Sequence, residues 1–179
     1  MFYILLAPGF LEMEALVPAD LLRRAGVEVA LVGVSGEFVP GGHDIAVKAD
    51  LPLSEVRFED MEGVMLPGGG VGVANLGSDS GVEALVKEAA AQDKLVSAIC
   101  AAPSLLSKWG LLEGKQAVCY PSWKDKIADA CYLPSEKLAV EGNTVTGQAA
   151  GASFEFGLKL IEALRGADTA RRVREEICL

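Results

Sequence analysis

One stretch constrains the fold more than any other: Leu95-Val-Ser-Ala-Ile-Cys100, followed at once by Ala-Ala-Pro-Ser-Leu-Leu-Ser-Lys-Trp-Gly110. Leu95, Val96 and Ile99 with the small residues Ser97 and Ala98 form a short apolar run, the pattern of a strand buried on both faces of a parallel sheet. Pro103 near the first helical positions, then Leu105, Leu106 and Trp109, predict a helix that stops at Gly110. Cys100 therefore falls on a strand-to-helix turn. A helix N-terminus offers unpaired N–H groups and the positive end of a dipole, which favour thiolate over thiol. Cys100 is accordingly expected to be reactive. A small buried hydrophobe, the ordinary state of a free cysteine, is the competing reading.

Strand and helix patterns alternate along the whole chain. Phe2–Ala7, Val27–Gly33, Gly63–Leu66, Leu95–Ile99 and Gln116–Tyr120 read as strands, and Leu138–Thr146 as a hairpin. Ala15–Ala25, closed by Gly26, then Gly81–Ala91, Ala152–Leu164 and Asp168–Cys178 read as helices. In Ala152–Leu164, Phe154, Leu158 and Ile161 are expected on the buried face, opposite Glu155, Lys159 and Glu162. Trp109, Trp123, Phe154 and Phe156 are assigned to the core. Pro40–Asp44 reads as a turn before a short extended piece, Ile45–Val47. Alternating βα units imply a mostly parallel sheet sandwiched by helices, with ligand sites beyond the strands' C-terminal ends. No linker or repeat interrupts the 179 residues, so one domain is expected.

Composition narrows the function classes. A net charge of −9 argues against nucleic acid or an anionic membrane surface as a primary partner. No apolar run reaches the length of a membrane span, and the N-terminus reads as a first strand and not as a signal peptide. The four cysteines contain no CxxC pair and there is one histidine, so no Cys/His metal set is expected. A reduced, cytoplasmic location fits this cysteine usage.

Few other residues could carry chemistry. Glu14 shares a helical face with Pro18, Leu21 and Ala25, so its carboxylate should point inward, at the sheet edge that also carries Cys100. Half-buried beside a thiolate, it would have a raised pKa and hold a proton. An ordinary first-turn acid complementing the helix dipole is the equal alternative. Pro18 lacks the N–H that would bond the Glu14 carbonyl, so the helix begins near Glu14 or kinks there. Leu66-Pro-Gly-Gly-Gly-Val-Gly72 fits neither a P-loop nor GxGxxG, and its bare N–H groups make a plausible oxyanion cradle. A tight turn would use glycine equally. His43, in a turn-rich segment, reads first as a solvated loop residue.

Four ordered motifs together resemble the ThiJ/PfpI superfamily: Ala7-Pro-Gly-Phe-Leu-Glu-Met-Glu14, Leu66-Pro-Gly-Gly-Gly, Ala98-Ile-Cys100-Ala-Ala-Pro and Gly151-Ala-Ser-Phe-Glu-Phe-Gly. The branch they resemble is that of the parkinsonism-associated deglycase and its bacterial relatives, over nearly the whole chain. The resemblance implies a flavodoxin-like, three-layer α/β/α sandwich, usually a homodimer. It matches Cys100 to the family nucleophile, Glu14 to the acid bonded to that sulfur, and Gly69 and Ala101 to the two oxyanion donors. The implied activity is a cofactor- and metal-free glyoxalase that converts methylglyoxal-type 2-oxoaldehydes to hydroxy acids, or a deglycase of their protein adducts. An oxidative-stress sensor or redox-regulated chaperone using the same cysteine is the alternative. A more distant branch contains peptidases. The chain departs from the pattern at Tyr120, where many relatives carry histidine, and at His43 and Gln148, where arginines near the pocket are common. These three are the remaining candidate pocket residues. Tyrosine titrates near 10 and is a poor base at neutral pH, which leaves proton transfer to Glu14.

Overall fold

The computed structural model describes residues 1–179. Continuous apolar runs become the centre of a seven-stranded sheet. β1 (Phe2–Leu6) is flanked on one side by β2 (Val29–Gly33) and β5 (Leu51–Pro52), and on the other by β6 (Gly63–Leu66), β7 (Leu95–Ile99), β11 (Thr144–Gly147) and β10 (Leu138–Glu141). Every pair in this sheet is parallel except the hairpin β10–β11. All residues of β1, β2, β6 and β7 are buried. That is why these strands lack polar alternation: each side chain faces a helix layer, and burial of each large one contributes about 1.5–3 kcal/mol.

The helices follow from the connections. α1 (Glu12–Arg24) links β1 to β2, and α3 (Ser80–Ala91) links β6 to β7. These two crossovers run outward in opposite directions, so right-handedness places α1 and α3 on opposite faces. α5 (Ser153–Arg165) packs on α1, and α6 (Ala167–Glu176) packs on α5. Gly157 permits the α1–α5 approach: a Cβ there would lie 2.7 Å from Leu21 Cδ1 and 3.1 Å from Pro18 Cα. The remaining elements are β3 (Phe38–Pro40) paired with β4 (Ala46–Lys48), α2 (Gly70–Leu76), α4 (Pro103–Lys108), and β8 (Gln116–Ala117) paired with β9 (Cys131–Tyr132). No helix is long and apolar enough to cross a membrane. The architecture is a flavodoxin-like α/β sandwich with a mostly parallel sheet.

Three local expectations are corrected. α1 starts at Glu12 and not at Ala15; its N-terminus is fastened by the Leu11 N–H on the Gly68 carbonyl at 3.1 Å, a tertiary bond with no local signature. This start lies near Glu14, one of the two outcomes Pro18 allowed, and Pro18 sits inside the continuing helix. The glycine-rich segment is only half loop, because from Gly70 onward it is α2, whose Val73 and Leu76 are buried. Phe154 is 40% exposed while Phe156 is fully buried, because Phe156 lies toward β11, where a Cβ on Gly147 would be 2.9 Å from its ring.

The chain changes sheet direction between β1 and β6. The loops after these strands, with the turn after β7, therefore frame a crevice at the C-terminal edge.

Candidate active site

Cys100 ends β7 in a left-handed conformation, φ +66°. For a residue with a Cβ that conformation costs about 1–2 kcal/mol. It is imposed from both sides: the Cys100 N–H donates to the Gly147 carbonyl at 2.9 Å, and its carbonyl accepts the Tyr120 N–H at 2.7 Å. α4, with Pro103 in its first turn, follows directly. The outcome is a sharp elbow that presents the sulfur to the crevice while only 7% of the residue is exposed.

Glu14 reaches the same point from the first turn of α1 and is completely buried. Its Oε2 accepts the Gly68 N–H at 2.8 Å and its Oε1 has no hydrogen-bond partner, while its carboxyl and the Cys100 thiol each shift the other's ionisation. Two glycines make room for this meeting. A Cβ on Gly68 would lie 2.6 Å from both Cys100 Cβ and Glu14 Oε2. Gly69 has φ +94°, and a Cβ there would be 2.4 Å from the Gly9 carbonyl oxygen. In this geometry the Gly69 and Ala101 N–H groups act on the Cys100 sulfur, each favouring the thiolate.

Burial raises the Glu14 carboxyl to about 7, opposed by its hydrogen bonds with Cys100 and Gly68. Burial also pushes the Cys100 thiol up, together with the charge and hydrogen bond of Glu14, to about 12; the Gly69 and Ala101 N–H groups pull the other way. The expected depression of the thiol by a helix terminus is thus corrected. α4 is only six residues long, and its dipole is outweighed by a carboxylate in the same buried space. Protonating Glu14 removes the repulsion and leaves the two N–H groups to stabilise a thiolate. The pair therefore holds one proton readily and gives up the second with difficulty, the condition for a proton that moves between sulfur, carboxyl and a bound substrate.

The other candidates are placed differently. Tyr120 is tied to Cys100 through its backbone, and its side chain is 44% exposed. Gln148 is half-buried, directly after the Gly147 that holds Cys100, and its N–H goes to the Lys137 carbonyl. His43 makes its polar contacts with Glu12: its N–H donates to Oε1 at 2.7 Å and its Nδ1 lies 3.0 Å from Oε2. Burial pushes the Glu12 carboxyl up, but hydrogen bonds from its own N–H and from His43 outweigh this and hold it low. His43 thereby fastens the β3–β4 turn to the start of α1. Gly68 escaped the sequence reading, although it stands in the same glycine run as Gly69. The largest cavity, 930 Å³ and lined by Val34, Leu53, Phe58 and Leu85 among others, contains neither Cys100 nor Glu14. The site is identified by its chemistry and not by the size of its opening.

Known proteins share this architecture. The DJ-1/PfpI family model matches residues 2–163. The chain is 36% identical to protein dj-1beta of Drosophila melanogaster over 172 residues, covering 95% of this chain and 92% of that one. The crystal structure of Drosophila DJ-1beta superposes with a TM-score of 0.96 at 34% identity, covering 99% and 97% of the two chains. Oxidized DJ-1 of Toxoplasma gondii gives 0.92 at 32% identity, covering 99% and 97%. The glutathione-independent glyoxalase DJR-1.2 of Caenorhabditis elegans is 29% identical over 94% of this chain and 90% of its own. A family match over most of the chain, with relatives above 30% identity along nearly their full length, means that this chain belongs to the DJ-1/PfpI family.

Proposed function

We propose that this protein is a cofactor-free glyoxalase or deglycase in which Cys100 is the nucleophile and Glu14 the proton carrier. The observation that carries the reading is the buried pair itself: Cys100 on its elbow beside the fully buried Glu14, so close that a Cβ on Gly68 would lie 2.6 Å from both. Kinship with a named glutathione-independent glyoxalase supports it. For methylglyoxal, the Cys100 sulfur attacks the aldehyde carbon to give a hemithioacetal, while the thiol proton passes to the new oxygen by way of Glu14. Glu14 then removes the C1 hydrogen as a proton, and the electron pair moves to give an enediolate. Reprotonation at C2 yields a lactoyl thioester, which water hydrolyses to lactate and free Cys100. The oxidation of C1 and the reduction of C2 balance, so no external oxidant is required. Gly69 and Ala101 N–H groups, directed at the sulfur, are placed to steady oxygens developing on the attached carbon. Glycated proteins are the larger substrates that the same chemistry would accept, and a homodimer is the proposed assembly.

A redox-sensor or chaperone reading uses the same pair. Two equivalents of peroxide would convert the thiolate to a sulfinic acid, with the Glu14 carboxyl beside it as a hydrogen-bond partner. The unpaired Oε1 of Glu14 favours this reading, as does the structural likeness to a DJ-1 recorded in oxidized form.

The deciding experiment measures lactate from methylglyoxal for the unmodified protein, Cys100→Ala, Glu14→Gln and Tyr120→Phe. Cys100→Ala should be inactive, and Glu14→Gln should lose about a hundred- to ten-thousand-fold. Tyr120→Phe should retain most of the rate. Activity that survives Glu14→Gln but disappears in Tyr120→Phe overturns the assignment. Inactivity of the unmodified protein leaves the sensor reading.

A further inference from the structure

We propose that the pocket between α2, α4 and the Pro121–Ile127 turn is a subsite for the anionic end, carboxylate or phosphate, of a carbonyl substrate longer than methylglyoxal. The inference deepens the cysteine–carbonyl reading above and rests on it. The pocket encloses 340 Å³; its floor is Val73 and Leu105, and Trp123, Lys108 and Lys126 stand around it.

Its place in the fold ties it to the nucleophile. The two backbone N–H groups that favour the Cys100 thiolate, those of Gly69 and Ala101, stand at the entrances to α2 and α4. The pocket lies between the following turns of those same helices, at Val73 and Ser104. Ser104 closes back on the Ala101 carbonyl at 2.7 Å. Trp123 bridges the remaining gap: a Cβ on Gly70 would be 3.8 Å from its Cζ2, and its backbone N–H donates to the carbonyl of Tyr120, the residue whose own N–H clasps Cys100. Gly70, at the entrance to α2, and Gly77, in the pocket wall, are about 10 Å apart at the helical rise per residue. At its far end the Lys108 Nζ rests on the Gly77 carbonyl at 3.3 Å.

The charge pattern says what this groove would take. The protein carries −9, and most of its lysines and arginines are paired with carboxylates. Lys108 and Lys126 are not. Glu83, whose carboxyl also feels the charge of Lys108, is engaged by Lys87 at 2.6 Å. The Lys126 ammonium lies 4.3 Å from the centre of the Trp123 ring. Two unpaired cations and an indole around an apolar floor form a receptor for a short apolar or planar segment ending in negative charge.

Trp123 supplies a readout that does not depend on turnover, since the only other tryptophan, Trp109, is buried. Tryptophan fluorescence is titrated with 4-acetylbenzoate and with its neutral counterpart acetophenone. At low salt the anion should bind about five- to tenfold tighter, the scale of two partly exposed ion pairs. The preference should vanish in 1 M salt, where the screening length falls to about 3 Å, and in the double variant Lys108→Ala/Lys126→Ala. It should persist in Lys94→Ala, which makes half that change in net charge at a lysine outside the pocket. A 4-phosphonate analogue shows whether the doubly charged group is preferred over the carboxylate. Equal binding of anion and neutral probe, absence of binding by either, or a preference indifferent to Lys108 and Lys126 overturns the proposal. Turnover of phenylglyoxal by the same samples reports separately on the Cys100 chemistry. An inert protein that still prefers the anion refutes the enzymatic reading alone.

Discussion

Replacing Glu14 with glutamine keeps the shape of the site and removes its titration. In the folded protein the carboxyl is raised by burial from its ordinary 4.5 to about 7. Glu14 is completely buried, so solvent does not screen this difference. Below pH 4.5 the acid is protonated in both folded and unfolded chains and contributes its full stabilisation. Between 4.5 and 7 the unfolded chain has lost a proton that the folded chain retains, so stability falls as pH rises. At about 1.36 kcal/mol per pH unit the loss totals about 3 kcal/mol, complete just above pH 7. Glutamine has no such dependence. The unfolding free energy of Glu14→Gln minus that of the unmodified protein should therefore rise by about 3 kcal/mol between pH 4.5 and pH 8. Urea denaturation at closely spaced pH values measures it, and the difference curve cancels every other titrating group that the substitution leaves alone. Stopping at pH 8 avoids ionisation of Cys100 in the unfolded chain. A flat difference curve, or one that falls with pH, refutes the argument that burial governs this carboxyl.

Gly68→Ala places a methyl 2.6 Å from both Cys100 Cβ and Glu14 Oε2; overpacking of this kind costs about 1–3 kcal/mol and should separate the pair, read as lost stability together with lost lactate formation. Asp79 caps α3 by accepting the Gly81 and Val82 N–H groups at 2.8 and 3.2 Å, so Asp79→Ala should lower stability by about 1 kcal/mol in urea and leave Cys100 alkylation unchanged. The proposed dimer would use the face where Met13 and Phe154 are exposed and Leu16 and Val17 are half-buried. Sedimentation at micromolar concentration should show a dimer that Leu16→Glu converts to monomer, and a monomeric unmodified protein contradicts the proposal.

Much of this architecture is legible along the chain because the deciding forces there are local. Gly63–Leu66 and Leu95–Ile99 are read to the residue, since a strand buried on both faces must be apolar throughout and the turns at its ends need breakers. The elbow at Cys100 follows from a strand that ends where a proline-initiated helix begins. The inward aim of Glu14 follows from its spacing to Pro18, Leu21 and Ala25 on one helical face, all buried in the fold. The structure alone decided what depends on residues distant in sequence. α2 forms through glycines of low helix propensity because Val73 and Leu76 find the core. Phe154 leaves its expected place in the core while Phe156 keeps its own, because α5 is pressed by the sheet and by α1 at once. The acidity of Cys100 is lowered first by burial and then by a carboxyl 86 positions earlier in the chain, brought beside it by α1 and admitted by Gly68. A local pattern can show that a thiol faces a helix terminus, but the proton's position depends on the summed field and burial of a site that exists only after folding.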